Sequence, residues 1–224
     1  FGDDFYAQKV AASCGELGID ISDCLSVPGG ATPTYLFIND SDRDMALAMS
    51  DMDICEKITP EYLATKLPVL NNAQLVVVDT NIPEESIRYL AENCTAPIFA
   101  DPVSTAKAVK LRSVLGKLHT LKPNKMEAEL LSGIPIREPG DVERAAQKLL
   151  SMGLRRVFIS LGAEGMYAAT REDSCWMENL PCTMVNTTGC GDSAMAALVW
   201  AYLNELTLED SVRAALAAGS ITIE

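Results

Sequence analysis

The sequence predicts an α/β fold in which a mostly parallel sheet is covered by helices on both faces. Three observations carry this. From Pro68 onward, short apolar runs rich in Val, Ile and Leu alternate with longer helical patterns, as parallel strands joined by crossovers require. Polar residues follow the ends of those runs, where ligands bind in open α/β sheets. One glycine-rich stretch, residues 186–192 (Asn-Thr-Thr-Gly-Cys-Gly-Asp), lies between a run that can end a strand and a helical run that is apolar nearly all round.

In chain order, residues 3–17 read as a helix with Phe5, Val10, Cys14 and Leu17 on one stripe, stopped near Gly18. Residues 24–50 change character. Strands are expected over 25–27, 34–39 and 45–49, with turns at 28–30 and 39–42. Then come a strand over 74–78, a helix over 83–93, a strand over 97–100 and a helical stretch over 106–115. A strand over 118–121 is followed by a helix over 125–132. The amphipathic run 141–152 starts after Pro139-Gly140, and strands are expected over 156–161, 166–169 and 183–185. A last helix covers 209–218. With no internal repeat and no low-complexity linker, the chain reads as a single domain, residues 1–224.

Composition narrows the function. The formal charge of −13 argues against binding a nucleic-acid backbone, which needs a basic face. It leaves room for a phosphate held locally by backbone amides. No apolar run is long enough to span a bilayer. The seven cysteines, Cys14, Cys24, Cys55, Cys94, Cys175, Cys182 and Cys190, are scattered and odd in number and show no Cys-x-x-Cys spacing. That usage suits reduced thiols in the cytoplasm better than disulfides or zinc. The opening Phe-Gly-Asp-Asp-Phe-Tyr is neither a signal nor a transit peptide and reads like the middle of a domain. The single histidine, His119, lies in an apolar run, so it reads as structural rather than as part of a Ser-His-Asp triad.

Five strand ends carry polar groups: Asp79 and Asn81; Asp101; Lys122 and Asn124; Ser160 and Gly162; and Asp192. In the 186–192 loop, two glycines and two threonines let the chain turn tightly and aim several N–H groups one way. A helix N-terminus adds partial positive charge, which makes an anion site. Asp192 at its mouth has the chemistry to take a proton from a hydroxyl. The alternative is a capped helix after a glycine turn, with Asp192 complementing the dipole. Asn124 and Glu127, three apart at a helix start, suit a water-rich magnesium site and equally suit a capping box. Lys107 suits phosphate charge and equally a solvated helix face. The Cys190 thiol, at a helix N-terminus, is expected either to ionise more readily or to serve as a small buried residue. No Walker A loop and no protein-kinase His-Arg-Asp loop is present.

Three ordered blocks resemble the PfkB (ribokinase-like) family of carbohydrate and nucleoside kinases. Thr-Gly-Cys-Gly-Asp at 188–192 is similar to the family's Asp-Thr-Thr-Gly-Ala-Gly-Asp signature, Lys-Pro-Asn-Lys-Met-Glu at 122–127 to its Asn-x-x-Glu motif, and Ser-Leu-Gly-Ala-Glu-Gly at 160–165 to its nucleotide-binding turn. Four features look most like the family's pseudouridine kinases: His-Thr-Leu-Lys-Pro-Asn at 119–124, Asp-Pro-Val-Ser with Lys107 at 101–107, Val-Asp-Thr-Asn at 78–81, and Asn186 in place of Asp.

The resemblance implies a three-layer α/β/α fold with residues 24–50 as a small β-sheet lid. It implies an ATP- and Mg²⁺-dependent kinase acting on a small sugar or nucleoside, with self-association through the lid. Asp192 becomes the base, and the amides of Gly189, Cys190 and Gly191 the anion hole. Ser160, Gly162, Gly165, Asn124, Thr187 and Thr188 become nucleotide contacts, and Asn124 with Glu127 serves the metal. Thr34, Asn81 and Lys107 join Asp192 in contacting the acceptor. The family's monovalent-cation site beside the anion hole is expected to be weakened by Asn186. The family's upstream Gly-Gly-x-x-x-Asn element and its closing C-terminal element are not in this sequence, which reads as a partial family domain.

Overall fold

The computed structural model describes residues 1–39, 45–182 and 188–223. The turn residues 40–42, the strand expected over 183–185, Asn186 and Thr187 lie outside the described residues.

The chain opens with helix α1 (Phe5–Glu16), whose N-cap Asp4 accepts the Ala7 amide. Strands β1 (Thr34–Asn39) and β2 (Met45–Asp51) pair antiparallel, Thr34 opposite Asp51 and Phe37 opposite Ala48. Helix α2 (Pro60–Asn72) is capped by the Thr59 hydroxyl. The alternating region then runs β3 (Val76–Asp79), α3 (Glu84–Asn93), β4 (Ile98–Asp101), the short α4 (Thr105–Ala108), β5 (Thr120–Leu121), α5 (Lys125–Ser132), α6 (Pro139–Ser151), β6 (Arg156–Ser160), β7 (Met166–Ala169) and β8 (Ser174–Met177). Helices α7 (Cys190–Leu203) and α8 (Leu208–Ile223) follow. None of the described helices is long and apolar enough to cross a membrane.

Six strands form one sheet in the order β3-β4-β5-β6-β7-β8. The first four are parallel, and β7 and β8 return antiparallel. The period-2 alternation of a strand sorts the core into two layers. On β6 and β7, Val157, Ile159, Tyr167 and Ala169 pack with Ile87 of α3, Leu131 of α5 and Leu149 of α6. Phe158, Met166 and Ala168 point the other way, onto Leu198 of α7 and Val212 and Leu216 of α8. The sheet is therefore sandwiched, which is the three-layer arrangement the sequence predicts.

Several local expectations need correction. Residues 25–27 are not a strand: the Phe1 amine donates to the Leu25 carbonyl at 2.6 Å and the Val27 amide to the Phe1 carbonyl at 2.9 Å, which holds this stretch against the chain start. The stripe on α1 does not face a core. Phe5, Val10 and Leu17 are exposed, Leu17 at 76%, and Ala7 is the buried residue. The helix expected over 106–115 breaks into α4 and two 3-10 turns, Val109–Leu111 and Leu115–Lys117. The last helix continues five residues past 218, where the Thr222 hydroxyl bonds Ser193 Oγ of α7 at 2.7 Å while Ile221 is exposed. Helix α2 and strand β8 are absent from the sequence reading. Both have weak patterns: α2 buries only Leu63 and carries Pro68 internally, and β8 alternates exposed and half-buried residues.

Candidate active site

The carboxyl ends of the parallel strands carry the polar groups, and the structure joins them into two neighbourhoods. At the end of β3, the Asp79 carboxylate accepts the Asn81 amide at 2.9 Å and its side-chain amide at 2.5 Å. The Lys107 ammonium of α4 reaches back to the Asn81 Oδ1 at 2.5 Å. Lys107 is thus held on a strand end and is not a solvated helix lysine. Lys110 donates to the Thr80 and Ile82 carbonyls at 3.0 and 2.8 Å, which fixes the chain that carries Asn81. Thr34 serves the root of the β1–β2 hairpin, where its hydroxyl donates to the Thr32 carbonyl at 3.1 Å. Thr32 in turn is tied to Asp4, whose carboxyl is held down at about 2, chiefly by the Thr32 amide.

The second neighbourhood lies at β5 and β6. Asn124 and Glu127 form a capping box on α5: Asn124 Oδ1 accepts the Glu127 amide at 2.9 Å, and Glu127 Oε2 accepts the Asn124 amide at 2.8 Å. Glu127 is only 3% exposed, and burial pushes its carboxyl up. Asn124 bridges in parallel to Ser160, and the Ser160 amide donates to Pro123 O at 2.9 Å, which stitches the α5 N-terminus to the end of β6.

Residues 162–165 form a tight turn before β7, with the Leu161 amide on the Gly165 carbonyl at 2.9 Å. Gly165 has φ +91°, and a Cβ there would lie 2.0 Å from the Met177 carbonyl oxygen. Only glycine lets β8 lie this close to the turn. Two side chains clamp it further: Asn179 Nδ2 donates to Gly162 O at 2.6 Å and Trp176 Nε1 to Glu164 O at 3.1 Å. Sequence reasoning missed both, because they come from a hairpin whose antiparallel return it did not assign.

Gly189, with φ +84°, is the N-cap of α7 and turns the chain into the helix. Cys190 is half-buried beside Gly219 of α8, and burial pushes its thiol up despite the nearby Lys122. Burial therefore acts against the easier ionisation expected of a thiol at a helix N-terminus, and the half-buried packing against Gly219 accords with the small-residue alternative. Asp192 stands exposed on the first turn of α7, and Thr188 is exposed before it.

Lys122, Asn124, Ser160, Gly162, Gly165, Cys190 and Gly191 line one cavity of about 610 Å³. Its far wall is apolar, built from Met126, Ala194, Ala215 and Leu216. A mostly apolar cleft of this size with a few polar groups at one edge suits a phosphorylated ligand with a flat apolar ring. Asp192, Asn81, Lys107 and Thr34 do not line it. Asn81 and Lys107 sit beyond β4, and Asp192 is one residue past the cavity edge at Gly191.

The sequence reading placed Lys122 among the polar strand ends and in the 122–127 block but gave it no role of its own. Its ammonium pairs with Asp101 of β4 at 2.9 Å, with side chains only 7% and 18% exposed. A lysine at a buried strand end, two residues before Asn124, was the available signal.

Among the described residues no group of three or more His, Cys, Asp or Glu is placed to hold a metal. Glu127 Oε2 is committed to the cap, so Asn124 and Glu127 do not form a cage. They fit a Mg²⁺ held mainly by ligand phosphates and water. His119 is outside both neighbourhoods. It stacks on Phe99 at 5.4 Å, meets Tyr202 edge-on at 4.9 Å, and shares a 2.9 Å bond with Thr120 Oγ1. Burial, with Arg156 and Arg155 adding to it, lowers its pKa to about 4.

Comparison with known proteins finds the pfkB family carbohydrate kinase profile matching residues 1–224. The chain is 37% identical to the pseudouridine kinase of Escherichia coli (strain K12), covering 99% of this chain and 72% of that protein. It is 32% identical to the uncharacterized sugar kinase YeiI of the same organism, covering 99% and 62%. The solved structure of Arabidopsis thaliana ribokinase, complexed with ribose and ATP, has a TM-score of 0.83 at 22% identity, covering 100% of this chain and 73% of that one. That last likeness bears on the fold alone.

Proposed function

The chain belongs to the pfkB family of carbohydrate kinases, and from that premise we propose that it transfers the γ-phosphoryl group of ATP to the 5′-hydroxyl of pseudouridine. The supporting observation is the single cavity in which Asn124, Ser160, Gly162 and Gly191 meet beside the N-terminus of α7. The 37% identity to a pseudouridine kinase supports the narrower choice of acceptor. The coarser alternative is another sugar or nucleoside acceptor.

The apolar wall of Ala194, Ala215 and Leu216 takes the adenine, and the clamped 162–165 turn receives the nucleotide through its backbone. The amides of Gly189, Cys190 and Gly191, with Thr187 and Thr188 before them, hold the anionic charge that builds on the transferred group. Asp192 takes the hydroxyl proton. Asn81 and Lys107, at the neighbouring strand ends, orient the acceptor together with Thr34 of the hairpin, which acts as a lid that keeps water out. Mg²⁺, when bound, neutralises phosphate charge. Asn124 and Glu127 orient the water around it. Catalysis then rests mostly on positioning and charge stabilisation.

Asn186 carries no charge, so this reading expects little rate gain from potassium over a bulky organic cation. The exposed Leu36, Ile38, Leu47 and Met49 of the hairpin suit pairing of two lids, measurable as a concentration-dependent mass. The free thiols suit a cytoplasmic setting.

The test is Mg-ATP-dependent phosphorylation of pseudouridine, uridine, ribose, adenosine and fructose, beside an Asp192→Asn control. Turnover of pseudouridine that drops about 100-fold to 10,000-fold in the control is the expected result. Turnover of another acceptor keeps the chemistry and removes pseudouridine. Silence of folded protein with every acceptor overturns the reading.

A further inference from the structure

We propose that Lys122 is a catalytic residue whose ammonium grips the terminal phosphoryl group of the nucleotide at the first turn of α7, with Asp101 holding it in place. The inference rests on the kinase reading above and adds to it a residue outside the three motif residues Asp192, Asn124 and Glu127.

Lysine is almost never fully buried without a partner, and a buried ion pair adds little net stability once both charges are desolvated. A pair kept at that cost is better explained by what the cation faces. Lys122 follows β5, which lies between β4 and β6, so its side chain rises from the middle of the parallel sheet. Its backbone amide is fixed on the Ala100 carbonyl at 3.1 Å, and its Nζ on Asp101 Oδ2 at 2.9 Å. From there Nζ comes within 3.4 Å of where a Cβ on Gly191 would stand, so the ammonium lies against the N-terminal turn of α7. The same side chain lines the cavity.

Asn124 on one side and Cys190 and Gly191 on the other line the same cavity as this ammonium. One buried ammonium thus sits between the N-terminus of α5 and the anion-hole loop, in a chain whose net charge of −13 otherwise repels polyphosphate. An ammonium has three donors. Asp101 takes one and leaves two for phosphate oxygens. The lysine gives up no proton in this role. It is a fixed point charge that strengthens as the cleft dries.

Two measurements test this. First, the wild-type protein is treated with an acyl phosphate of ATP, which acylates the amine nearest the terminal phosphate, and the labelled peptide is mapped. Label on Lys122 that excess ATP blocks and AMP does not is the expected result. Label confined to Lys125, or none on either lysine, overturns the inference and requires no variant to fold. Second, Lys122→Met and Asp101→Asn are assayed with melting curves alongside. Lys122→Met is expected to lose about 100-fold or more in kcat and most of its preference for ATP over AMP in binding, with acceptor KM little changed. Asp101→Asn is expected to lose less. Full kcat and intact ATP preference in Lys122→Met overturn the inference while leaving the kinase reading standing. Label on Lys122 in a protein that phosphorylates no acceptor keeps the phosphate contact and sinks the kinase reading.

Discussion

Asn124 and Glu127 hold each other at the start of α5: each side chain accepts the other's backbone amide, at 2.9 and 2.8 Å. The cap and the proposed nucleotide role therefore share the same two residues, and a substitution can separate them. Asn124→Ala is expected to cost about 0.5–2 kcal/mol of stability through the lost cap and to raise the KM for ATP. Asn124→Ser keeps a capping oxygen. Urea denaturation is expected to show its stability restored while ATP affinity stays low. Recovery of both together would make Asn124 a cap and nothing more.

Gly165 separates the nucleotide turn from β8. Gly165→Ala places a methyl against the Met177 carbonyl at a left-handed φ. A loss of about 1–3 kcal/mol is expected from strain alone, with more from the clash. Asn179→Ala instead removes only the clamp on Gly162 O, and is expected to weaken ATP binding with a smaller stability loss of about 0.5–1.5 kcal/mol. Calorimetric titration with ATP beside thermal melting distinguishes the two.

Lys107 is held on Asn81 rather than in solvent. Lys107→Met is expected to raise the KM for the acceptor about 10-fold, the equivalent of about 1.4 kcal/mol, and to leave the KM for ATP unchanged. Equal effects on both substrates in steady-state kinetics would count against an acceptor-side role.

His119 is neutral in the fold, with a pKa near 4 against an ordinary 6.5. The unfolded chain therefore takes up a proton at higher pH than the native one. Stability falls as pH drops from 6.5 towards 4 and this contribution is flat below that. The ring is only half-buried, so solvent screening limits the effect to about 1–2 kcal/mol. His119→Phe retains the stack on Phe99 and removes the titration. Urea denaturation across this pH range is expected to show a shallower slope in the variant.

The alternating half of the fold was legible because each strand there is a short apolar run ended by a polar residue, and helices α5 and α6 carry capping boxes. Asn124 with Glu127 announces α5. Pro139 with Asp141 announces α6. Helix α2 and strand β8 were not legible, since neither buries a regular stripe. The stripe on α1 misled, because period alone does not say whether a partner layer exists, and Leu17 ended at 76% exposure.

By itself the sequence determined the three-layer architecture, the order of the three motif blocks, and Asp192, Asn124, Glu127 and the 160–165 turn as candidates. The architecture follows from periodicity and turn chemistry along neighbouring residues, and the motif roles follow from the resemblance of the three blocks to the pfkB family. Only the tertiary structure decided that Lys107 bonds Asn81 across 26 residues, that Asn179 clamps Gly162 across 17, and that burial pushes the Cys190 thiol up. It also decided that Lys122 and Asp101 meet beneath Gly191. Each of these depends on which strand ends become neighbours and how much water they lose, and neither is encoded in any one stretch of the chain.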